Sequence, residues 1–563
     1  MNDTPSPFRR VLLWLVAVLL IAGSGLAGLN VARWLRTPTI AADAPAPKFP
    51  GRLFEGWKKP DVTLVLTGQQ YGYLLPCGCS DPQIGGLERR YNLIQTFRDA
   101  GWNPVPIDLG DVPQTTGPAY LPNQQGVIKY VYAMKAMREM GYLGVGFGKN
   151  EATLGLMTLL SEYSLNNPKP PVVISNLMDA EKNFPDMTKP WNWTDTPSGV
   201  RVGVTTVVGS KTTPGIKEVT RSDPAVRFSV VPETLENVVK QMNAGKVTLP
   251  VLLYQGHLGK GTPATEAREC AQAFPQFPIV LCLSDEEEPA QKPTVVRTKA
   301  GGDSLIVQLG KKGKFVAVVG AWKTDTGFTF KVEMVEMNPD FKTAADKRAE
   351  HPIVKLMEEY TSELKAKDYL SKYSPMSHPL QVLAEVKDLR NPGEPEYVGS
   401  ETCKKCHEDA YDVWKKSGHA HAYETLEKVK HPGNRNYDPE CIVCHTIGFG
   451  YKSGYENAVK TPKLKDVGCE SCHGPASLHV RNPNNVEWQK RINPWRHLPV
   501  PRDKQILAMD LMCQKCHDAE NDVTWTNGGF KRKWPKVEHP TPRAPGDEDP
   551  KDDAKDGAKP KDK

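Results

Sequence analysis

Cys403-Lys404-Lys405-Cys406-His407 is the first of four pentapeptides that share one spacing of cysteine and histidine. The others are Cys441-Ile442-Val443-Cys444-His445, Cys469-Glu470-Ser471-Cys472-His473 and Cys513-Gln514-Lys515-Cys516-His517. This spacing is typical of c-type haem attachment, because two thiols reach the two vinyl groups on one porphyrin edge and the next imidazole lies under the iron. Zinc, the alternative for Cys-x-x-Cys pairs, gives no reason for a histidine after each second cysteine. The motifs therefore predict four covalently bound haem c groups.

The histidine that ends each motif is the predicted proximal ligand of its haem iron. These ligands are His407, His445, His473 and His517. The four motifs crowd into residues 403–517, so four large apolar macrocycles must form most of the interior there. We expect a mostly helical, loop-rich tetrahaem domain over residues 397–530, which does not fold without haem.

Further motifs around these sites resemble the cytochrome c-554 family, the tetrahaem proteins that take electrons from hydroxylamine oxidoreductase. They are Trp414-Lys415-Lys416-Ser417-Gly418-His419, His473-Gly474-Pro475-Ala476-Ser477-Leu478-His479, and Asp438-Pro439-Glu440-Cys441 with His445-Thr446-Ile447-Gly448-Phe449-Gly450. The resemblance implies that His419 and His479 are distal ligands to neighbouring haems. His421, His431 and His497 are the candidates for the remaining distal positions. His539 lies beyond the last motif and is expected to bind no iron; His351 and His378 are expected to be solvated.

The number of distal ligands separates two functions. A haem with histidine on both faces only passes electrons, whereas an open face admits a small ligand such as nitric oxide, hydroxylamine or nitrite. The spare histidines outnumber the irons, so ligation on both faces is possible throughout; the resemblance implies that one haem is five-coordinate. We expect an electron-transfer protein that serves redox partner proteins. An oxidoreductase acting on a small nitrogen species is the alternative.

Residues 61–337 alternate between apolar β-rich runs and helical periods, which predicts an α/β layered domain. Its loop motifs resemble the metallophosphoesterase domain of the 5′-nucleotidase family. They are Thr67-Gly68-Gln69-Gln70-Tyr71-Gly72, Gly85-Gly86-Leu87-Glu88-Arg89, Asp108-Leu109-Gly110-Asp111, Gly148-Lys149-Asn150-Glu151, His257-Leu258-Gly259 and Leu283-Ser284-Asp285-Glu286. Compared with the family pattern, Gln69 and Tyr71 replace an Asp and a His, and Lys149-Asn150 replaces Asn-His. A two-metal centre needs such ligands, so we expect an inactive domain that supports the cytochrome or docks a partner. A metal-dependent phosphohydrolase is the weaker alternative.

The ends of the chain predict further segments. The run 11–32 has no charged residue and is long enough to cross a bilayer. We therefore expect an anchor over 1–36 in the inner membrane, a proline-rich linker over 37–60, and the body in the periplasm, with cleavage near residues 41–46 as the alternative. Residues 338–396 are expected to form a helical connector, and the charged residues 531–563 a disordered tail.

Four cysteines lie outside the haem motifs: Cys77, Cys79, Cys270 and Cys282. In an oxidising compartment we expect disulfides or inert thiols, with a metal site or a redox pair at Cys77 and Cys79 as alternatives. The formal net charge of +6 is small for 563 residues. It favours neither nucleic acid nor a strongly acidic partner.

Overall fold

The structure is a computed structural model that describes residues 49–76, 82–155, 158–159, 163, 169–178, 187–219, 226–258, 266–385 and 393–539. The described residues from Pro50 onwards form one compact unit. The predicted anchor, residues 37–48 of the predicted linker, Cys77, Cys79 and the tail beyond residue 539 lie outside the described residues.

The predicted localisation needs correction. The sequence predicts a single-pass protein of the cytoplasmic membrane, but among the described residues no helix is both long and apolar enough to span a bilayer. The segment that suggested an anchor, residues 11–32, is not among those residues. The prediction of single-pass localisation is therefore wrong for the described chain.

Two mixed sheets form the body of the amino-terminal domain. The first has the strand order β15-β14-β1-β2-β3-β4-β6 and the second β12-β13-β11-β10-β8-β7, while β5 and β9 pair separately. The strands are β1 Val62–Thr67, β2 Pro104–Asp108, β3 Gly144–Gly146, β4 Val172–Val173, β5 Leu177–Met178, β6 Thr188–Lys189, β7 Trp191–Asp195, β8 Arg201–Val208, β9 Arg227–Phe228, β10 Leu249–His257, β11 Ile279–Leu283, β12 Thr294–Arg297, β13 Asp303–Gln308, β14 Phe315–Thr324 and β15 Gly327–Glu336. Strand β1 is buried at every position, as its unbroken apolar and β-branched run requires in a central strand.

The helices of this domain are α1 Leu87–Asp99, α2 Gly126–Met140, α3 Lys149–Thr153, α4 Thr213–Val219, α5 Val231–Ala244 and α6 Glu266–Ala273. Apolar residues of both large sheets form one shared core, which includes Leu64, Ile107, Val204 and Leu281. A second core lies between the other face of the second sheet and its helices, around Leu235 and Phe277. The predicted α/β layered domain is therefore present, with the two sheets packed face to face between helices.

The carboxyl-terminal part is helical and rich in loops. Its helices are α7 Pro352–Ala366, α8 Pro379–Glu385, α9 Ser400–Lys404, α10 Glu408–Lys416, α11 Ala422–Lys428, α12 Pro439–His445, α13 Cys469–His473, α14 Ser477–Arg481, α15 Val486–Ile492, α16 Pro494–His497, α17 Arg502–Cys513 and α18 Gly529–Lys533. Short 3₁₀ turns connect them at Pro339–Phe341, Ala345–Glu350, Tyr369–Lys372, Gly418–His421, Arg435–Tyr437, Pro462–Leu464 and Trp534–Lys536. Helix α7 lies within residues 338–396, where a helical connector is predicted, and buries Tyr360 and Leu364.

One loop of the α/β domain forms part of the carboxyl-terminal core. Leu121, from the loop between β2 and α2, is buried in the same apolar cluster as Tyr423, Ile442 and Phe449. The neighbouring Tyr120 stacks on Tyr451 with ring centres 4.3 Å apart, and its hydroxyl donates to Phe449 O at 2.8 Å. The two parts of the chain therefore share a packed interface, which we call the Tyr120 loop contact.

Candidate functional site

All four Cys-x-x-Cys-His motifs lie in or at the end of helical turns. The motif of residues 441–445 falls inside α12, and that of residues 469–473 is helix α13 itself. In the first and last motifs, the backbone N–H of His407 donates to Cys403 O at 3.0 Å and that of His517 to Cys513 O at 2.9 Å. A helical turn brings residues three apart to one side, so each pair of thiols faces the same way, as attachment to one porphyrin edge requires.

Three motif histidines each make a hydrogen bond between Nδ1 and an oxygen acceptor. The Nδ1 of His445 lies 2.6 Å from Ala422 O, that of His473 lies 2.7 Å from Ile492 O, and that of His517 lies 2.9 Å from Asp522 Oδ2. An oxygen acceptor at that distance requires the proton on Nδ1, which leaves the Nε2 lone pair for a metal. Burial lowers the pKa of His473 to about 4, so this ring is neutral at pH 7, the form that binds iron.

Three pairs of imidazoles face each other at one separation. The ring centres are 6.1 Å apart for His407 and His479, for His419 and His517, and for His473 and His539. Two metal–nitrogen bonds of about 2 Å, with half a ring at each end, place the ring centres of two imidazoles on one ion roughly 6 Å apart. His479 Nδ1 is also a buried nitrogen without a hydrogen-bond partner in the described chain. The residues present therefore fit an iron between each pair of rings.

His445 differs from the other motif histidines. Among the described residues, no second imidazole lies in ring contact with it. Of the remaining candidates, His421 lies 3.7 Å from Glu424 and His431 lies 2.5 Å from Glu358 of α7. His497 is exposed.

Two histidines of the connector act locally. His351 accepts from the N–H groups of Ile353 and Val354 at the start of α7, and it is buried, where the sequence predicts a solvated side chain. His378 accepts from Leu380 N at 3.2 Å at the start of α8 and is half-buried. Both rings therefore stabilise helix ends.

The four Cys-x-x-Cys-His motifs lie in two neighbouring pairs. The Cys403 side chain lies next to that of Cys469, and the Cys516 side chain next to that of Cys444. The first motif is thus adjacent to the third, and the second to the fourth. By contrast, Cys270 and Cys282, for which disulfides are one expectation, are buried free thiols.

The phosphoesterase-like motifs come together at the carboxyl ends of the strands. Gln69, which stands where the family pattern has an aspartate, donates to the Tyr71 hydroxyl at 2.7 Å and to Ser284 O at 2.9 Å, and it accepts from Ser284 N at 2.9 Å. The uncharged amide of Gln69 therefore links the ends of β1 and β11 by hydrogen bonds. Gly110 has a φ of 102°, and a Cβ there would lie 2.7 Å from Gly146 O, so only glycine allows the turn that presents Asp111.

Asp111 and Glu151 are two of the buried carboxyl groups in this region, and both accept hydrogen bonds from backbone groups. Asp111 Oδ1 accepts from Asn150 N at 2.8 Å, and Glu151 Oε2 accepts from Gly148 N at 2.8 Å. Burial is the main cause that raises the pKa of Asp111 to about 6 and that of Glu151 to about 8. In the part of the chain that the structure describes, no three His, Cys, Asp or Glu side chains are arranged to hold a metal ion.

A large cavity connects this strand end to the second haem-attachment site. Its volume is about 770 Å³. The α/β side of its lining includes Tyr71, Asp111, Lys149 and His257, and the other side includes Arg435, Asp438, Glu440, Cys441, Cys444 and Lys515.

Comparison with known proteins shows which proteins the carboxyl-terminal part is similar to. Four attachment motifs with facing imidazoles define a multihaem c-type cytochrome, a class that carries covalently bound haem c. Residues 402–474 match the family model of cytochrome c554 and c-prime. The chain is also 39% identical over 136 residues to cytochrome c-554 of Nitrosomonas europaea. This match covers 22% of the chain and 57% of that relative, so the chain spans little more than half of its length. The resemblance predicted from the motifs is confirmed.

Three solved structures similar to the chain are a 5′-nucleotidase precursor, an NAD nucleotidase and a calcineurin-like phosphoesterase. The 5′-nucleotidase precursor of Thermus thermophilus matches with a TM-score of 0.45 and 23% identity over 54% of this chain and 59% of its own. The NAD nucleotidase of Haemophilus influenzae matches with a TM-score of 0.42 and 15% identity, and the match covers 65% of this chain and 68% of that protein. A calcineurin-like phosphoesterase of Bacillus subtilis matches with a TM-score of 0.42 and 15% identity, and the match covers 54% of this chain and 97% of that protein.

Sequence reasoning missed two features of the site. His539 lies in a charged stretch beyond the last motif, and the only hint of its position opposite His473 is the number of spare histidines. The second feature is the interface with the α/β domain, where Gln114 donates to Glu440 Oε1 at 2.8 Å. Nothing in the local sequence of either residue indicates this long-range contact.

Proposed function

We propose that the protein is a tetrahaem c-type cytochrome that transfers electrons between redox partner proteins. The observation that carries the proposal is the equal 6.1 Å separation of three imidazole pairs. Bound haem supplies one-electron chemistry, at a potential that its axial ligands and its burial set. Without methionine ligands these potentials are expected to be low.

In this proposal the chain holds four haem irons through the four motif histidines. His479, His419 and His539 are the second ligands opposite His407, His517 and His473. The α/β domain, fixed by the Tyr120 loop contact, serves as a rigid support and as a docking surface for a redox partner.

A second candidate function is an oxidoreductase that acts on a small nitrogen species. The observation that favours it is His445, which has no facing imidazole in the described chain. A free axial position is where such a molecule binds. The phosphohydrolase alternative has no comparable support, since the retained Asp111 and Glu151 are engaged by backbone N–H groups.

The test is a pyridine haemochrome count together with low-temperature electron paramagnetic resonance on the oxidised full-length protein. We expect four haems, three low-spin and one high-spin. Fewer than four haems, or high-spin signals from more than one of them, contradict the proposed ligation. Nitric oxide or hydroxylamine should convert the high-spin signal; if neither does so, the second candidate function fails.

A further inference from the structure

The Nδ1 atom of His517 has a charged partner. It lies 2.9 Å from Asp522 Oδ2, a carboxylate oxygen. In the described chain, the Nδ1 atoms of His445 and His473 face main-chain carbonyl oxygens instead. A hydrogen bond to an ionised acceptor is shorter and roughly twice as strong as one to a neutral acceptor. The ring of His517 therefore gains more negative charge from its partner than the other two rings do.

The Asp522 carboxylate is buried and ionised. Its side chain is only 3% exposed, and its Oδ1 accepts from the Thr524 hydroxyl at 2.9 Å. Lys533, at the end of α18, forms an ion pair with Oδ2. Burial opposes ionisation, but the hydrogen bonds from Lys533 and His517 outweigh burial and lower the pKa of Asp522 to about 2. At neutral pH the His517 ring therefore faces a fixed negative charge.

The segment after the fourth motif also holds the His517 ring in place. Trp525 stacks on this ring with centres 4.4 Å apart and planes 19° apart. The indole N–H of Trp525 donates in turn to Asp510 Oδ1 of α17 at 2.7 Å. Asp522 reaches the ring from a turn in which its own N–H donates to Asp518 O at 2.8 Å. The carboxylate and the indole thus fix the orientation of the ring together.

We propose that Asp522 is a positioning residue that lowers the reduction potential of the haem attached at the fourth motif. The hydrogen bond to a carboxylate makes the imidazole of His517 a stronger donor to iron, which stabilises ferric iron more than ferrous iron. Reduction adds one electron to the iron, and the Nδ1 proton stays on His517. This haem is thereby a stronger electron donor than it would be with a carbonyl acceptor at Nδ1. The inference rests on the proposed function, because it takes His517 as the axial ligand of this iron.

The test is a redox titration of the full-length holoprotein in which low-temperature electron paramagnetic resonance follows each low-spin haem. Asp522→Asn removes the charge and keeps an acceptor oxygen. It should raise the equilibrium constant for reduction of one low-spin haem about tenfold, which is about 59 mV for one electron. Lys533→Met removes the cation that shares the carboxylate, so the same haem should become harder to reduce.

The matched control is Asp518→Asn. Asp518 is an exposed carboxylate next to His517 in sequence, and its Oδ1 accepts from Glu520 N at 2.9 Å. An asparagine can accept the same hydrogen bond, so this variant removes a nearby charge without altering the partner of the ring. It should shift the potential much less than Asp522→Asn does.

Opposite shifts of one haem in Asp522→Asn and Lys533→Met support the inference, because a loss of packing alone would not reverse sign. Unchanged potentials in both variants, or an equal shift in Asp518→Asn, overturn it. If Asp522→Asn loses its haem, Lys533→Met decides: a lowered potential supports the inference and an unchanged one overturns it.

The same samples separate the inference from the proposed function. Four haems with three low-spin signals, none of whose potentials Asp522→Asn changes, leave the proposed function standing and refute the role of Asp522. Opposite shifts in a protein with more than one high-spin haem support the role of Asp522, while the proposed ligation fails.

Discussion

At the scale of single residues, the ligand geometry depends on side chains that are far apart in sequence. His539 is the clearest case, because its ring lies 6.1 Å from that of His473 although 66 positions separate them. We predict that His539→Ala leaves all four haems attached and turns one of the low-spin haems high-spin. Electron paramagnetic resonance measures this as a high-spin signal larger by one haem.

The matched control is His497→Ala, since His497 is exposed and faces no motif histidine in the described chain. Its spectrum should equal that of the wild type. If the two variants exchange these results, His497 is the ligand and the pairing with His539 is refuted.

The residue scale also shows what the sequence could predict about the site. The motif cysteines and histidines were predictable because the attachment chemistry is local and needs one fixed spacing. His419 and His479 were implied by the resemblance of their surrounding motifs to the cytochrome c-554 family. The role of His539 was not predictable. Its position opposite His473 depends on how the chain folds back after α17 and α18, and the local sequence does not indicate this fold.

At the scale of elements, a small polar cluster joins helix α2 to helix α12. Lys129 of α2 lies 2.5 Å from Glu440 Oε2 and 2.6 Å from Gln114 Oε1, and the side chains of Lys129 and Glu440 are only 11% and 18% exposed. We predict that Glu440→Gln lowers the free energy of unfolding by about 3 kcal/mol, because it leaves a buried ammonium unpaired. Urea denaturation of the holoprotein followed by tryptophan fluorescence measures the change.

An exposed ion pair provides the comparison. Lys460 and Glu456 are one turn apart, with side chains 65% and 57% exposed. Glu456→Gln should cost less than about 1 kcal/mol. Equal losses in the two variants would mean that the α2–α12 cluster contributes no more than a surface pair.

The alternation of strands and helices over residues 61–337 was predictable from sequence. It is observed, for example, in strand Ile279–Leu283 and helix Gly126–Met140. Both are long or strongly patterned segments whose apolar period matches the observed burial. The order of strands in the two sheets was not predictable, because it depends on pairings such as that of β1 with β14, more than 200 residues further along the chain.

At the scale of the whole molecule, the two buried carboxyl groups should make stability depend on pH. The pKa of Asp111 is raised from 3.8 to about 6 and that of Glu151 from 4.5 to about 8. Through these two groups the folded state binds more protons than the unfolded state, so their contribution to stability falls as pH rises. We predict that the thermal midpoint of the wild type falls relative to that of Glu151→Gln between about pH 5 and pH 8.

Calorimetry at several pH values tests this, with the exposed Glu236→Gln of α5 as control. The control should show the wild-type slope. A Glu151→Gln protein with that same slope would show that Glu151 does not titrate in this range.

The Tyr120 loop contact has a consequence for how the protein is made. Tyr120 and its partner Phe449 are 329 positions apart, so a ribosome produces the loop long before the surface that covers it. Until the haem-binding part has matured, Leu121 has no apolar cover, and an exposed apolar loop is a point of attack for proteases. We therefore expect a chain that fails to acquire haem to expose this loop, so that the survival of the amino-terminal domain depends on cofactor loading.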